Sequence, residues 1–135
     1  GFVLTLFMLN NFFAKDLGTE FMYRSIWGLT FLKLTVSSIV EEFFYRGFIQ
    51  SYINEGQTLN KLKFSNGNIF ATVLMTLTHV GFFTIMTPVF AITSIILVML
   101  FSLTAGHLRE RTNGLLIPIS FHLTVNYLHF FIQTN

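Results

Sequence analysis

The sequence predicts an all-α, polytopic bundle of about five transmembrane helices, and three observations carry that expectation. Hydrophobic residues make up 53% of the 135 residues and charged residues only 10%, where a soluble domain carries about 25% charged residues. Mean hydropathy is +0.65. The apolar residues collect into five segments, roughly 1–13, 25–53, 68–87, 89–107 and 115–132, separated by polar loops.

The first segment, Phe2 to Phe13, is short for a span. No basic stretch precedes it and no small-residue cleavage site follows, so it reads as part of a helix cut from a longer protein rather than a signal peptide. The second, Ile26 to Ile53, is long enough to cross a bilayer, which takes about 20 residues. It carries Glu41, Glu42 and Arg46. One charge near the centre of such a helix costs about 2.5–3.5 kcal/mol on insertion scales, so these three need partners and a purpose. The loop 54–67 is polar, and Asn66-Gly67 reads as a turn just before the third span. Thr87-Pro88 divides the third span from the fourth, because proline lacks the donor that would continue the helix. Asn113-Gly114 closes the loop 108–114 ahead of the last span. There is no internal repeat, and residues 1–135 read as one domain.

Composition also narrows the function classes. A formal charge of +2 is too small to suggest nucleic acid, and the absence of cysteine removes disulfides, thiolate nucleophiles and Cys-ligated zinc. Eighteen phenylalanines suit a lipid-facing surface. Lys61, Lys63, Arg109 and Arg111 fall in loops on one face, against Lys15 and Arg24 on the other. Counting basic residues makes the first face cytoplasmic.

Depth measured from that face gathers four polar side chains. Glu41 and His79 each lie about 11–12 residues in, roughly 17–18 Å at helical rise, with His122 and Asn126 roughly 10 and 17 Å deep on the last span. His122 and Asn126 are four apart and share a helix face. A cavity open toward the cytoplasm is the expectation. Each residue also has a structural reading. Glu42 and Arg46, again four apart, form a neutralising ion pair, which leaves Glu41 without a local partner. A desolvated carboxylate there suits general acid–base work. A lone His79 also serves as an interhelical hydrogen-bond donor. His129 reads as interfacial packing and His107 as a solvated helix end. Thr35, Ser37, Ser38 and Thr78 are expected to bond back to helical carbonyls.

These residues match a family pattern. Glu41-Glu42-x-x-x-Arg46, then a histidine helix ending in His79, then His122-x-x-x-Asn126 resembles the CPBP intramembrane proteases. That family includes the CAAX-processing endopeptidases and the bacteriocin-processing, or Abi, proteins. The likeness runs from about residue 35 to 127 and includes Arg109, Arg111, Thr112 and Asn113; Met75 stands where phenylalanine is usual. The resemblance implies an intramembrane endopeptidase in a membrane, here expected to be bacterial. Glu41 and His79 would activate water, His122 and Asn126 would polarise the scissile carbonyl or hold the oxyanion, and Glu42 with Arg46 would support them. Implied substrates are membrane-associated peptides or proteins: CAAX-like ends, bacteriocin leaders or signalling peptides. A divalent metal such as zinc would have Glu41, His79 and His122 as ligands. The HExxH spacing of soluble zinc proteases is absent and asparagine is a poor zinc ligand, which favours a metal-independent glutamate protease. The competing readings are a non-catalytic scaffold or immunity protein of the same fold, and a transporter. No inverted repeat or broken helix pair supports the transporter.

Overall fold

The computed structural model describes residues 27–57, 64–84 and 86–134. One continuous helix opens the described chain. Its first part, α1 (Trp27–Glu42), is α-helical; Phe43–Gln50 continues as a π-helix, and α2 (Ser51–Asn54) completes it. The wider π turn is supported from the side chain, because the Ser51 hydroxyl donates to the Arg46 carbonyl five residues earlier at 2.9 Å. Helix α3 (Asn66–Thr78) begins at Ser65, whose hydroxyl caps the Asn68 N–H at 3.0 Å. It ends where side chains take over a helical carbonyl. The Met75 oxygen accepts from the Thr78 hydroxyl at 2.7 Å and the His79 ring at 2.8 Å, while the His79 N–H turns back to Thr76. A 3₁₀ turn, Val80–Thr84, follows. Pro88 occupies the first turn of α4 (Pro88–Thr112), and Asn113 ends that helix in the left-handed region at φ 50°. Helix α5 (Leu116–Thr134) is last.

Among the described residues there is no strand. Cross-helix bonds set the topology. His122 meets Glu42 and Asn126 meets Ser38, so α5 runs antiparallel to α1. Asn68 meets Leu103 and Thr72 meets Ser102, so α3 runs antiparallel to α4. The end of α2, the start of α3 and the end of α4 therefore lie together. This agrees with the expectation that loops 54–67 and 108–114 share a face.

The molecule is polar inside and apolar outside. Ser38, Glu42, Arg46 and Ser102 are fully buried, while Phe43, Phe44, Phe48, Val89 and Leu116 are more than half exposed. A soluble protein distributes these residue types the other way. Among the described residues the buried apolar side chains are Tyr45, Ala71, Met75, Phe90, Ala91, Ala105 and Phe130; Tyr45, Ala71 and Met75 form one cluster, flanked by Ile49, Leu74, Val98 and Phe101. By length and mean hydropathy, Asn66–Thr84 and Pro88–Thr112 are able to cross a membrane, and Leu116–Ile132 is apolar but shorter. The expected second span is the continuous helix that carries the charges. The expected first span lies outside the described residues.

Polar residues recur on the first helix at a stride of four: Glu42, Arg46, Gln50 and Asn54. On an α-helix four residues overshoot a turn by about 40°, so such a row drifts around the helix. A π-helix carries more residues per turn, and four fall short of one. The π segment thus offsets the drift and keeps the row facing Ser102, Gly106 and Glu110 of α4. Arg46 donates to Ser102 and Gln50 donates to the Gly106 carbonyl at 2.9 Å and to Glu110 at 2.7 Å. Asn54 donates to Ser65, whose hydroxyl also bonds Glu110. A glycine at 106 suits this packing, since a Cβ there would collide with the Asn68 carboxamide oxygen.

Three expectations are corrected. Helix α4 does not stop near residue 107 but runs to Thr112, because Arg109 and Arg111 suit the negative end of a helix dipole and Glu110 is bonded inward. His107 is accordingly no solvated helix end; it is half-buried and edge-on to Phe64, with ring centroids 5.7 Å apart. Asn66-Gly67 does not precede α3 but forms its first turn, because Ser65 supplies the cap.

Candidate functional site

The centre of the polar interior is Glu42. Its side chain is fully buried and lies between two partners from opposite directions. His122, reaching over from α5, brings its Nδ1 to 2.9 Å from one carboxylate oxygen. Arg46, one turn along, brings its Nε to 3.4 Å from the other, an ion pair without hydrogen-bond alignment. The spacing of four residues foretold this pair. Arg46 is completed by neutral acceptors: the Ser102 carbonyl at 3.0 Å, the Ser102 hydroxyl at 2.9 Å and the Met75 sulfur at 3.3 Å. The Ser102 hydroxyl in turn donates to Thr72 at 3.0 Å. A buried guanidinium keeps its charge only if Coulomb attraction and hydrogen bonds offset its lost hydration. Here three side chains and one backbone carbonyl, from three helices, supply both.

A carboxylate only accepts, so the Nδ1 of His122 carries a proton and Nε2 is the nitrogen left for other chemistry. The ring is buried and tilted against Phe101 at 4.6 Å between centroids. One turn further along α5, Asn126 donates from Nδ2 to the Ser38 hydroxyl at 2.8 Å. His122 and Asn126 thus face α1 together, as their spacing implies.

His79 is held differently. A backbone carbonyl only accepts, so the bond from Nδ1 to the Met75 oxygen fixes the proton on Nδ1 and leaves Nε2 with a lone pair when the ring is neutral. His79 is half-buried, and its ring meets Phe82 edge-on at 5.2 Å. Its neighbour Thr78 lies 3.3 Å from the Tyr45 hydroxyl. Tyr45 is four residues beyond Glu41, so the face of the first helix that carries Glu41 is turned toward the end of α3. Glu41 itself is half-buried. No described residue holds its carboxylate by a hydrogen bond or ion pair.

The structure therefore joins Glu42, Arg46 and His122 directly, holds Asn126 one turn along α5 on Ser38, and places His79 next to Thr78, whose hydroxyl meets Tyr45. Sequence reading did not pick out Ser102 as the partner of Arg46, Thr72 as the acceptor behind Ser102, or Gln50 and Glu110 as the extension of the cluster. Their signal was the stride of four along an otherwise apolar helix, matched by the same stride from residue 102 to 110. Among the described residues no three His, Asp or Glu side chains gather closely enough to hold a metal ion. Glu41, His79 and His122 do not form such a group, and no step below passes through a metal.

A family model described as Rce1-like, type II CAAX prenyl endopeptidase, matches residues 23–128, well over half of the chain. No curated protein and no solved structure matches it.

Proposed function

Since the chain belongs to the Rce1-like family of type II CAAX prenyl endopeptidases, we propose that it is an intramembrane endopeptidase with Glu41 and His79 as its water-activating pair. Family membership makes it a membrane-embedded peptidase acting on peptide or protein substrates. The residue roles are inferred from the geometry. The observation that carries them is the division of labour between adjacent carboxylates: Glu42 is committed to His122 and Arg46, while Glu41 is left uncommitted.

In this reading Glu41 takes a proton from a water whose other hydrogen is bonded to the lone pair on Nε2 of His79. The oxygen attacks the scissile carbonyl carbon, the carbonyl π electrons move to its oxygen, and an oxyanion forms. Asn126 offers its second Nδ2 hydrogen to that oxyanion. His122 offers Nε2–H, which requires a doubly protonated ring with Glu42 as its counter-charge. On collapse of the intermediate, Glu41 returns the proton to the departing amine and the C–N bond breaks. Donors aimed at developing charge in a site shielded from water typically contribute 10²–10³ in rate each. Glu42 and Arg46 support the site by holding His122 and the helix that carries Glu41. Substrates are membrane-anchored peptides, with CAAX-like carboxyl-terminal ends the leading class; bacteriocin leaders and signalling peptides share the chemistry. The proposed cavity opens on the side of Glu110 and Ser65, the face that the basic loops make cytoplasmic.

The test compares peptide termini in membranes from cells making equal amounts of wild type or Glu41→Gln. Termini that require Glu41 support the proposal and name the substrate. If the two profiles match while both proteins sustain the same phenotype, the chain is a scaffold and the proposal fails.

A further inference from the structure

Ser38 lies three residues before the Glu41-Glu42 pair, is fully buried, and belongs to none of the three motifs. Its hydroxyl has one hydrogen, and that hydrogen is spent: it goes to the Leu34 carbonyl at 2.6 Å. Toward α5 the oxygen is therefore only an acceptor, and the group it meets must be a donor. Asn126 complies, presenting Nδ2 at 2.8 Å. A carboxamide turned the other way would set two acceptors face to face. The bond to Leu34 thus dictates which end of the Asn126 side chain faces α1. One Nδ2 hydrogen is fixed on Ser38, and the second, held in the same plane, points elsewhere.

The neighbouring pair repeats the arrangement. Thr35 donates to the Phe31 carbonyl at 2.8 Å, so it accepts from the Tyr127 hydroxyl at 2.6 Å, and Phe31 and Tyr127 stack at 4.5 Å. That second bond docks the same two helices but does not touch Asn126. It supplies an internal control.

We propose that Ser38 is a positioning residue for the hydrolytic site: by its committed hydroxyl it sets the Asn126 carboxamide so that the free N–H meets the oxyanion. This rests on the reading of Asn126 given above. A carboxamide released from Ser38 rotates, and a donor that must be ordered during the reaction contributes less than one ordered beforehand.

The experiment measures kcat and KM of the full chain on the peptide whose cleavage requires Glu41. Ser38→Ala is expected to lower kcat by about 10–100-fold, less than the roughly 10²–10³ for losing an oxyanion donor outright because the Asn126 donor is loosened rather than removed, with KM little changed. Ser38→Cys keeps the shape and weakens the acceptor, so it too lowers kcat, without loss of folding. Tyr127→Phe breaks the neighbouring bond and leaves kcat near wild type. In an Asn126→Ala background, Ser38→Ala has no further effect, because the group it positions is gone. Wild-type kcat in Ser38→Ala alongside an inactive Asn126→Ala overturns the inference. So does an equal loss from Ser38→Ala in both backgrounds, or a matching loss from Tyr127→Phe, either of which makes Ser38 a helix-docking residue. Full activity in Asn126→Ala, or no Glu41-dependent cleavage at all, instead removes the reading beneath it.

Discussion

Replacing Glu42 by Gln isolates the electrostatics of the site, because the side chain keeps its shape and loses only its charge. Arg46 is fully buried and would then face an amide in place of a carboxylate 3.4 Å away. Removing one member of a buried ion pair costs about 3–5 kcal/mol, since the other charge is left uncompensated. Arg46 retains the Ser102 carbonyl and hydroxyl and the Met75 sulfur, so the lower end applies, about 3 kcal/mol. In a chain of this size that corresponds to a fall in melting midpoint on the order of 10 °C, read by circular dichroism in detergent micelles. Adding Arg46→Met removes the orphaned charge and is expected to recover most of the midpoint, as apolar replacements of buried pairs do. Cleavage should not return, because His122 still lacks its carboxylate. A Glu42→Gln protein that melts within about 1 kcal/mol of wild type would refute the argument: Arg46 would then not depend on Glu42 for its charge.

Other changes test separate contacts. Gly106→Ala drives a methyl into the Asn68 carboxamide and is expected to cost about 1–3 kcal/mol as overpacking; Asn68→Ala in the same chain should relieve it, and a midpoint unmoved by Gly106→Ala would rule the close approach out. Ser65→Ala removes both the α3 cap and a bond to Glu110. It should cost about 1–2 kcal/mol, and amide exchange should quicken first in the opening turn of α3 rather than uniformly. Glu41→Gln should leave the melting midpoint near wild type while abolishing cleavage, because no described residue bonds to that carboxylate; a large fall in stability would assign it a structural role.

Much of this arrangement was legible in the sequence because it rests on local rules. Thr87-Pro88 marked a true break, since a proline opens a helix but does not continue one. The back-bonds of Thr35, Ser37, Ser38 and Thr78 followed from their short hydroxyl side chains. What the sequence hid was mostly at a distance. Nothing between residues 42 and 122 announces that their side chains meet, and a hydroxyl read as a local back-bond gave no hint that its oxygen also receives Asn126. Helix ends were misplaced for a different reason. Hydropathy falls at the first charges, whereas the backbone continues for as long as its carbonyls have partners, which in α4 is through Arg109 and Arg111 to Thr112.

The π-helical segment has a consequence for how this stretch tolerates change in length. Deleting one residue within Phe43–Gln50 offers the backbone an easy return to α-helical bonding, so the helix itself would survive. The tighter α turn also makes up most of the rotation that the lost residue had carried, so the residues beyond the deletion keep nearly the same facing. Gln50 and Asn54 would stay turned toward Gly106 and Glu110, whereas the same loss inside α1, which has no wider turn to give up, would swing everything beyond it by about 100°. A frame-preserving codon loss is thus absorbed within the π segment but acts as a rotary switch in the α-helical part, where it would exchange the wet and oily sides of the helix in one step.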